Sequence, residues 1–231
     1  MTITLIPVTG MPEISPGADL AGLIHENATL YDGDVVVVTQ KVVSKAEGRL
    51  VQVDPTDPLS HKALVVEESV RILRRRGDLL MTETKHGFVC ANAGVDLSNV
   101  ETGWAALLPV DPDRSARRIR DGLTARAGVT VGVIVSDTFG RTWRRGLTDV
   151  AIGVAGIAAI VDLRGTADAL GRELVVTEVC VADELAGAAE LVMGKSSGIP
   201  VAIVRGVDQS WLRDSSVRGE VVRPYQEDLF R

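Results

Sequence analysis

The sequence predicts an α+β protein with mixed sheets in two interleaved subdomains. Two observations support this class. Short runs of β-branched residues, such as Val35 to Thr39 and Val131 to Val135, are typical of buried strands. These runs alternate with amphipathic stretches that indicate helices, but without a regular βαβ rhythm, and no G-x-G-x-x-G follows a predicted strand. A purely parallel, doubly wound sheet is therefore not favoured.

The first predicted elements are a strand, a helix and a second strand. Residues 2–6 alternate in polarity and stop at Pro7, which favours a short strand. Asp19 precedes apolar residues at helical spacing, so a helix is predicted over Ala18 to Asn27. Val35 to Thr39 follows a Gly-containing turn and is apolar throughout, which indicates a strand buried on both faces.

A long helix and a strand pair are predicted next. Leu59 to Arg75 has helical spacing and ends in arginines that would face the negative end of the helix dipole, and Gly77 is read as its terminator. Leu79 to Thr84 and Gly87 to Ala91 are predicted to pair as strands around the Lys85-His86 turn.

The second half continues the alternation. Trp104 to Pro109 is apolar and is predicted to be extended, whereas Asp111-Pro112-Asp113 is a typical start for a helix over Arg114 to Arg126. Two further strands and one helix are predicted from their apolar spacing: Leu174 to Val181, Ile199 to Arg205, and a helix from Ala182 to Met193. The rest of the chain, 206–231, is polar and is predicted to be loosely structured.

Composition narrows the class of function. The 231 residues are 45% hydrophobic and 24% charged, an ordinary balance for a globular domain. The net charge of −6 argues against general nucleic-acid binding. Cys90 and Cys180 lie in apolar runs and are expected to be reduced, which fits a cytoplasmic protein. We expect no signal peptide, and no apolar run is long enough to span a membrane.

Three polar loops that follow apolar strands carry the candidate chemistry. They are Thr39 to Lys45, Asn92 to Asn99 and Ser136 to Arg145. Asp96 and Asp137 are the carboxylates best placed to hold a divalent cation, because oxygen ligands suit Mg²⁺ or Mn²⁺. The alternative is that each aspartate only caps a turn.

Basic residues beside these carboxylates suggest an anionic substrate. Arg141, Arg144 and Arg145 follow the turn predicted at 136–140 and could grip a phosphate or carboxylate, or could be a solvated surface. Lys41, Ser44 and Lys45 could grip phosphates, or could belong to a solvated turn.

Two other common site types are not supported. Met193-Gly194-Lys195-Ser196-Ser197 resembles the end of a Walker loop, but Ala189 replaces the first glycine and a predicted helix precedes it. The three histidines lack zinc-site spacing.

Taken together, the motifs resemble the coenzyme F420:L-glutamate ligase family, actinobacterial type, over residues 3–206. The matching segments are IPVTGMPEI, DGDVVVVTQKVVSKAEGR, ANAGVDLSNV, LPVDPDRSA, VIVSDTFGRTWRRG, AIGVAGIAAI, GRELVVTEVCVADELA and LVMGKSSGIPVAIVRG. The resemblance implies addition of γ-linked L-glutamate to F420-0 with GTP and Mn²⁺ or Mg²⁺, and K⁺ is a further candidate cation. It also implies a distinctive fold unrelated to P-loop and ATP-grasp ligases, and an intertwined homodimer.

The resemblance also assigns roles to residues. It implies a metal site formed by Asp96, Asp137 and Thr138, with Asp96, Asp137 and Arg141 as the catalytic set. The implied GTP contacts are Thr9, Gly10, Met11, Pro12, Thr39, Gln40, Ser44, Lys45, Asn99, Gly194, Lys195 and Ser196. Archaeal members carry an acidic residue where this chain has Lys195, so metal ligation from that loop is not expected.

The implied domain organisation is a ligase domain over 1–206 and a C-terminal segment over 207–231. The segment resembles the junction that leads, in two-domain members, into a flavin-binding nitroreductase-like domain. The implied reaction proceeds through an acyl phosphate. Two alternatives stay open: a metal-dependent phosphohydrolase, although Phe139 stands where the haloacid dehalogenase type needs a second aspartate, and a non-catalytic guanine-nucleotide-binding domain.

Overall fold

The computed structural model describes residues 2–229 and confirms the α+β class, with one mixed sheet and three antiparallel sheets among these residues. The strands are Thr4–Pro7 (β1), Val35–Thr39 (β2), Leu50–Gln52 (β3), Ser69–Arg76 (β4), Leu79–Thr84 (β5), Val89–Ala91 (β6), Trp104–Ala106 (β7), Gly132–Gly140 (β8), Leu147–Ala155 (β9), Val161–Asp162 (β10), Glu178–Val179 (β11) and Val201–Arg205 (β12). The α-helices are Leu20–Asn27 (α1), Gln40–Ala46 (α2), Lys62–Glu67 (α3), Pro112–Ala127 (α4), Val181–Met193 (α5) and Val217–Glu220 (α6). Short 3₁₀ turns occupy Asn92–Gly94, Gln209–Trp211 and Tyr225–Glu227.

A five-stranded sheet in the order β1-β12-β2-β8-β9 forms the centre of the structure. The pair β2 and β8 is parallel, and the other three pairs are antiparallel. Val35, Val36, Val37 and Val38 are all buried, because both faces of β2 are covered. Such a continuous apolar run is the pattern expected for a strand in the middle of a covered sheet.

Apolar layers cover the two faces of this sheet. On one face, α1 and α4 pack through residues such as Ile24 and Leu123 against Val36 and Val38. On the other face, α5 packs through residues such as Leu185 and Met193. Each of these three helices therefore buries one apolar stripe, which is the usual way in which an amphipathic helix is stabilised.

A second group of elements lies between α2 and α4 in the chain. It contains the β3-β7 pair, the β4-β5-β6 sheet and α3. Its own small core is built around Val65, Leu80 and Ala105. The chain thus leaves the central sheet after α2 and returns to it at α4, so the second group is inserted within the first.

Most of the predicted elements are confirmed within one to three residues. These are the helices predicted over 18–27, 114–126 and 182–193 and the strands predicted over 2–6, 35–39, 79–84, 87–91 and 199–205. The two cysteines are free, as expected. Burial raises the pKa of Cys90 to about 12, so its thiol stays protonated and unreactive.

The helix predicted over Leu59 to Arg75 is wrong. Only Lys62–Glu67 is helical, and Ser69–Arg76 is a strand that pairs with β5 across a turn at Gly77 and Asp78. Gly77 has a positive φ of 57°, a conformation that favours glycine in tight hairpin turns. Pairing with β5 therefore overrides the helical spacing of the arginine-rich segment.

The turn predicted at 136–140 is also wrong. Strand β8 continues to Gly140, and the chain turns over 141–146 before it returns as β9. Asp137 and Thr138 therefore lie within a two-stranded ribbon that extends beyond the end of β2.

The strand predicted over Leu174 to Val181 is largely replaced by an irregular arm. Only Glu178–Val179 is strand, paired with Val161–Asp162. Backbone hydrogen bonds such as Leu163 N to Thr177 O and Leu174 N to Thr166 O hold the rest of the arm.

The segment after residue 206 is more ordered than predicted. Val207 and Val217 are buried against the α5 side of the sheet. The carboxylate of Asp113 accepts hydrogen bonds from Val154 N at 2.8 Å and Val217 N at 2.9 Å, so one buried side chain ties α4, β9 and α6 together. Arg218 N, at 3.2 Å, is a third donor to the same carboxylate. Phe230 and Arg231 lie outside the described residues.

No helix within residues 2–229 is long and apolar enough to cross a membrane.

Close backbone approach at Gly153 generates the first testable prediction. A Cβ at this position would collide with the backbone of Pro112 and Asp113, whereas a Cβ at Gly140 would meet nothing within 4 Å. We expect Gly153→Ala to lower the free energy of unfolding by about 3 kcal/mol or more, since the helix backbone cannot yield like a side chain. Urea denaturation followed by circular dichroism measures this change. Gly140→Ala is the matched control and should stay within about 0.5 kcal/mol of the parent protein; equal stability of both variants would contradict the packing argument.

Candidate functional site

A cavity of about 850 Å³ opens where β2 ends and β8 continues. Its size is within the range of small-molecule sites. Its wall is formed by residues from several segments that are distant in the sequence: 11–14, 39–42, 45, 96, 98–99, 136–138, 147, 149, 190, 194–196 and 198–200. Among these residues, five carboxylates face three lysines, so the cavity is suited to a cationic group.

The parallel pairing of β2 and β8 places the first part of this wall. Thr39, the last residue of β2, lies opposite Ser136, and α2 begins at Gln40. A bulge in β9 opposite Val135 and Ser136 shifts the register by one residue. The carboxylate of Asp183 on α5 accepts a hydrogen bond from the Ala151 amide at the bulge, at 2.8 Å. This hydrogen bond from α5 therefore stabilises the bulge.

Strand alternation divides the polar side chains of β8 into two groups. Ser136 and Thr138 point to one face of the ribbon, and Asp137 points to the other, because side chains alternate along a strand. Asp149 of β9 is the direct cross-strand partner of Thr138. One group therefore forms around Asp149, and a second forms around Asp137.

The group around Asp149 is densely hydrogen-bonded. Its carboxylate accepts hydrogen bonds from Thr138 Oγ1 at 2.6 Å and Ser136 Oγ at 3.1 Å. Lys195 Nζ lies 2.8 Å from Asp149 Oδ1 and 3.0 Å from Glu190 Oε1, and it also contacts Thr138 Oγ1. Burial alone would lower the pKa of Lys195, but the hydrogen bonds to the two carboxylates outweigh it and raise the pKa above its usual value.

Asp96 is neutralised by a different lysine. Lys41 Nζ donates to Asp96 Oδ2 at 2.6 Å and to Ser98 O and Oγ at 2.6 and 2.7 Å. Burial opposes ionisation of Asp96, yet the hydrogen bonds from Lys41 and Ser98 N prevail and hold its pKa below the usual value. Asp96 is therefore ionised at neutral pH.

Asp137 is the carboxylate without a basic partner. Within residues 2–229, no lysine or arginine lies within ion-pair distance of it. Burial, together with repulsion from Asp96 and Asp149, raises the pKa of Asp137 to about 7. A half-buried carboxylate with a raised pKa in a cavity is a typical functional-site feature.

The donor set fits a hard divalent cation that also binds phosphate. Asp96 and Asp137 line one cavity and repel each other, which a cation between them would relieve. Among the described residues, no group of three or more His, Cys, Asp or Glu side chains is arranged to hold a metal without other ligands. Mg²⁺ commonly binds through one or two carboxylates and completes its shell with water and phosphate oxygens. Thr138, the third predicted metal ligand, is instead hydrogen-bonded to Asp149 on the opposite face of the ribbon.

The structure brings most of the predicted site residues to the cavity but not all of them. The lining residues among those predicted are Met11, Pro12, Thr39, Gln40, Lys45, Asp96, Asn99, Asp137, Thr138, Gly194, Lys195 and Ser196. Thr9, Gly10, Ser44 and Arg141 do not line it. Ser44 is fully buried and accepts a hydrogen bond from Gln40 Nε2 at 2.6 Å, so its place is beneath the cavity wall.

Arg141, Arg144 and Arg145, which could grip an anionic substrate, lie at the exposed tip of the β8–β9 ribbon. Arg141 donates to the Arg145 carbonyl at 2.7 Å, which braces the turn. Trp143, between them, is 88% exposed and has a positive φ of 65°. A large side chain held in this conformation at a solvent-exposed tip is unusual.

Sequence reasoning missed Asp149, Glu190 and Glu13. Asp149 could be identified only by pairing β9 with β8 across a turn at 141–146, which the misplaced turn prevented. Glu13 forms an ion pair with Lys45. Glu190 lies on the last turn of α5 and faces the loop that carries Lys195.

The contrast between Asp137 and Asp149 generates the second prediction. With metal removed by EDTA at pH 8, we expect Asp137→Asn to raise the free energy of unfolding by about 1–3 kcal/mol, because the variant removes an unpaired, half-buried charge. The pKa of Asp137 in the folded state, about 7, exceeds its usual value of 3.8. The free energy of unfolding of the parent protein therefore falls as pH rises from about 4 to 7, because folding then holds an ionised carboxylate in a half-buried place. The gain should therefore shrink towards pH 4.5. Urea denaturation at the two pH values measures it.

The matched control is Asp149→Asn. An amide cannot accept all three hydrogen bonds of the Asp149 carboxylate, so this variant should lose about 1–3 kcal/mol. Destabilisation by both substitutions would show that Asp137 has a stabilising partner and would contradict the argument.

The family model and the curated relatives that match this chain all carry the name of one kind of ligase. The family model described as F420-0:Gamma-glutamyl ligase matches residues 9–206. The chain is 43% identical to the coenzyme F420:L-glutamate ligase of Methanothermobacter thermautotrophicus, and the alignment covers all of both chains. It is 42% identical to the ligase of the same name from Methanopyrus kandleri, over all of this chain and 98% of the relative. The ligase of that name from Methanocaldococcus jannaschii is 41% identical over 87% of this chain and 86% of its own.

Proposed function

Because the chain belongs to the F420-0:gamma-glutamyl ligase family, we propose that it is a ligase that adds γ-linked L-glutamate to coenzyme F420-0. We further propose that GTP drives the reaction through an acyl phosphate and that Mn²⁺ or Mg²⁺ is required. The finding that carries the ligase assignment is the full-length similarity to relatives of that name. The cavity supports the finer points.

The carboxylate pair supports the metal requirement. Asp96 and Asp137 line the same cavity, and Asp137 has no ammonium partner among the described residues. A divalent cation held by these two side chains supplies positive charge to a phosphoryl group during transfer. Asp137 must be ionised to take part, and a bound cation favours the ionised form.

The lysines support the use of a nucleoside triphosphate. Lys41, Lys45 and Lys195 all line the cavity, and each already touches a carboxylate. Triphosphate oxygens would replace carboxylates as partners of Lys41 and Lys45, and would approach Lys195 while Asp149 and Glu190 hold it, so binding would require little new ordering of the lysines. Thr39 and Asn99 add polar groups at the same wall.

The acyl-phosphate route follows from the chemistry of amide formation. The terminal carboxylate of F420-0 attacks the γ-phosphorus of GTP, and GDP leaves with the β–γ bridging oxygen. The glutamate amine then attacks the acyl carbon, loses a proton, and displaces inorganic phosphate. No nucleophilic side chain is needed, so the protein contributes mainly position and charge. The arginines at 141, 144 and 145 carry the charge expected of a clamp for the anionic groups of F420-0 or glutamate.

We also propose a homodimer that uses the arm between β10 and β11. Leu170, Val175 and Val176 on this arm are each more than 70% exposed. Several exposed aliphatic residues on one arm favour a protein contact, and a second copy would supply a matching surface by two-fold symmetry.

The proposed reaction is tested by mass spectrometry. F420-0 incubated with the protein, GTP, Mn²⁺ and L-glutamate should gain one or more glutamyl units, each with the mass of glutamate less one water. Asp137→Asn should slow this addition by about 100-fold or more, because the metal would lose one of its two carboxylates. Asp78→Asn, at an exposed turn remote from the cavity, is the matched control and should keep full activity.

The same reactions separate the alternatives. Release of phosphate from GTP without glutamate would favour a phosphohydrolase. Binding of guanine nucleotide with no turnover would favour a non-catalytic domain. Substitution of ATP for GTP at equal rate would contradict the proposed guanine preference, and omission of K⁺ tests whether a monovalent cation is needed.

The proposed dimer is tested with Val175→Asp combined with Val176→Asp. The double variant should halve the mass measured by light scattering after size exclusion, since charges on the arm would have to be desolvated in the contact. Val70→Asp, at an exposed position on β4, serves as a control for a general effect of added charge. A monomeric parent protein would refute the proposal.

A further inference from the structure

Lys195 occupies a position that has the donor set of a cation site. Its ammonium is surrounded by three oxygen atoms, from Thr138, Asp149 and Glu190. The carboxylate oxygens lie 2.8 and 3.0 Å from Nζ. Two carboxylates and a hydroxyl are also ligands that Mg²⁺ or Mn²⁺ accepts.

The oxygen atoms are held by the fold, whereas the lysine comes from a loop. The Asp149 side chain is only 2% exposed and is fixed by Ser136 and Thr138. Glu190 lies on α5, and its side chain is 18% exposed. Lys195 itself is 56% exposed on the segment that follows α5. The three oxygen atoms therefore belong to strands and a helix, and only the ammonium belongs to a loop.

Charge balance explains why this position needs a cation. Asp149 and Glu190 approach the same ammonium. Without it, two largely buried carboxylates would face each other and repel. One ammonium neutralises one of the two charges, and its bulk fills the space between them. The Asp96–Asp137 side of the cavity is separate: Lys41 neutralises Asp96 there, and Asp137 has no lysine or arginine partner among residues 2–229.

We propose that Lys195 is the resident cation of the Thr138–Asp149–Glu190 position and keeps divalent metal out of it. Metal binding in this chain is then confined to the Asp96–Asp137 side, and Lys195 presents a fixed positive charge to the phosphates from the opposite side. Lys195 acts as a positioning residue for the triphosphate, and its own position is set by Asp149 and Glu190. This inference rests on the proposed function for the nature of the bound phosphate, but not for the exclusion of metal.

Counting bound Mn²⁺ tests the proposal. The electron paramagnetic resonance signal of free aqueous Mn²⁺ is measured during titration of the protein, with and without a non-hydrolysable GTP analogue. We expect Lys195→Ala to bind about one more Mn²⁺ per chain than the parent protein, because two carboxylates and a hydroxyl become available. Lys195→Arg retains the charge and should bind the same number as the parent protein.

A double variant distinguishes this site from a general increase in negative charge. Lys195→Ala combined with Glu190→Gln removes one of the two carboxylates and should bind no additional Mn²⁺. Melting temperatures measured in EDTA check that each variant folds. Equal Mn²⁺ counts for the parent protein and Lys195→Ala would overturn the proposal, as would an additional Mn²⁺ in the double variant.

The result does not depend on turnover. The titration contains neither F420-0 nor glutamate, so it reports on Lys195 even if no glutamyl product forms. Conversely, glutamyl addition by the parent protein together with unchanged Mn²⁺ counts would leave the proposed function in place and refute only the role of Lys195.

Discussion

The parallel pairing of β2 with β8 is the constraint on which the site depends. Val35 to Val38 are buried on both faces and pair with Gly132 to Val135, so a slip of one residue would exchange the side chains of two separate cores. This register fixes Thr39 beside Ser136. Because β8 is longer than β2, its last residues extend past the covered sheet, and the loops that end nearby can reach them. The cavity lies where β2 ends and β8 continues without it.

Within the cavity, the number of charges matters more than any single contact. Lys41 satisfies Asp96, and Lys195 is shared by Asp149 and Glu190, but Asp137 has no such partner among the described residues. Stability alone would favour a paired or an uncharged side chain at position 137. An unpaired carboxylate in a half-buried place costs stability, and a cation bound beside it would offset that cost by stabilising the folded state.

The sequence predicts those parts of the structure that depend on local pattern. The buried runs of β2 and β8, and the polar residues that follow them, identify Asp96 and Asp137 as candidates without any three-dimensional information. Asp149 was missed because its role arises from strand pairing across the tip at 141–146. The same reason explains β4: the local sequence predicts a helix end at Gly77, although the turn at Gly77 and Asp78 joins two strands. Local spacing cannot show which distant segment will pair with an arginine-rich run.

The loop after α5 shows why a motif needs its structural context. Gly194, Lys195 and Ser196 have the letters of a Walker loop, in which a strand precedes the glycines and the following helix directs its amides at the phosphates. Here the loop follows the C-terminal end of α5, so the helix dipole points the wrong way to attract phosphate. A lysine at a negative helix end, next to Glu190 and Asp149, is held first by the protein's own carboxylates. Gly194, Lys195 and Ser196 therefore have a different electrostatic environment from the same residues in a Walker loop, because here they follow the end of a helix and face carboxylates.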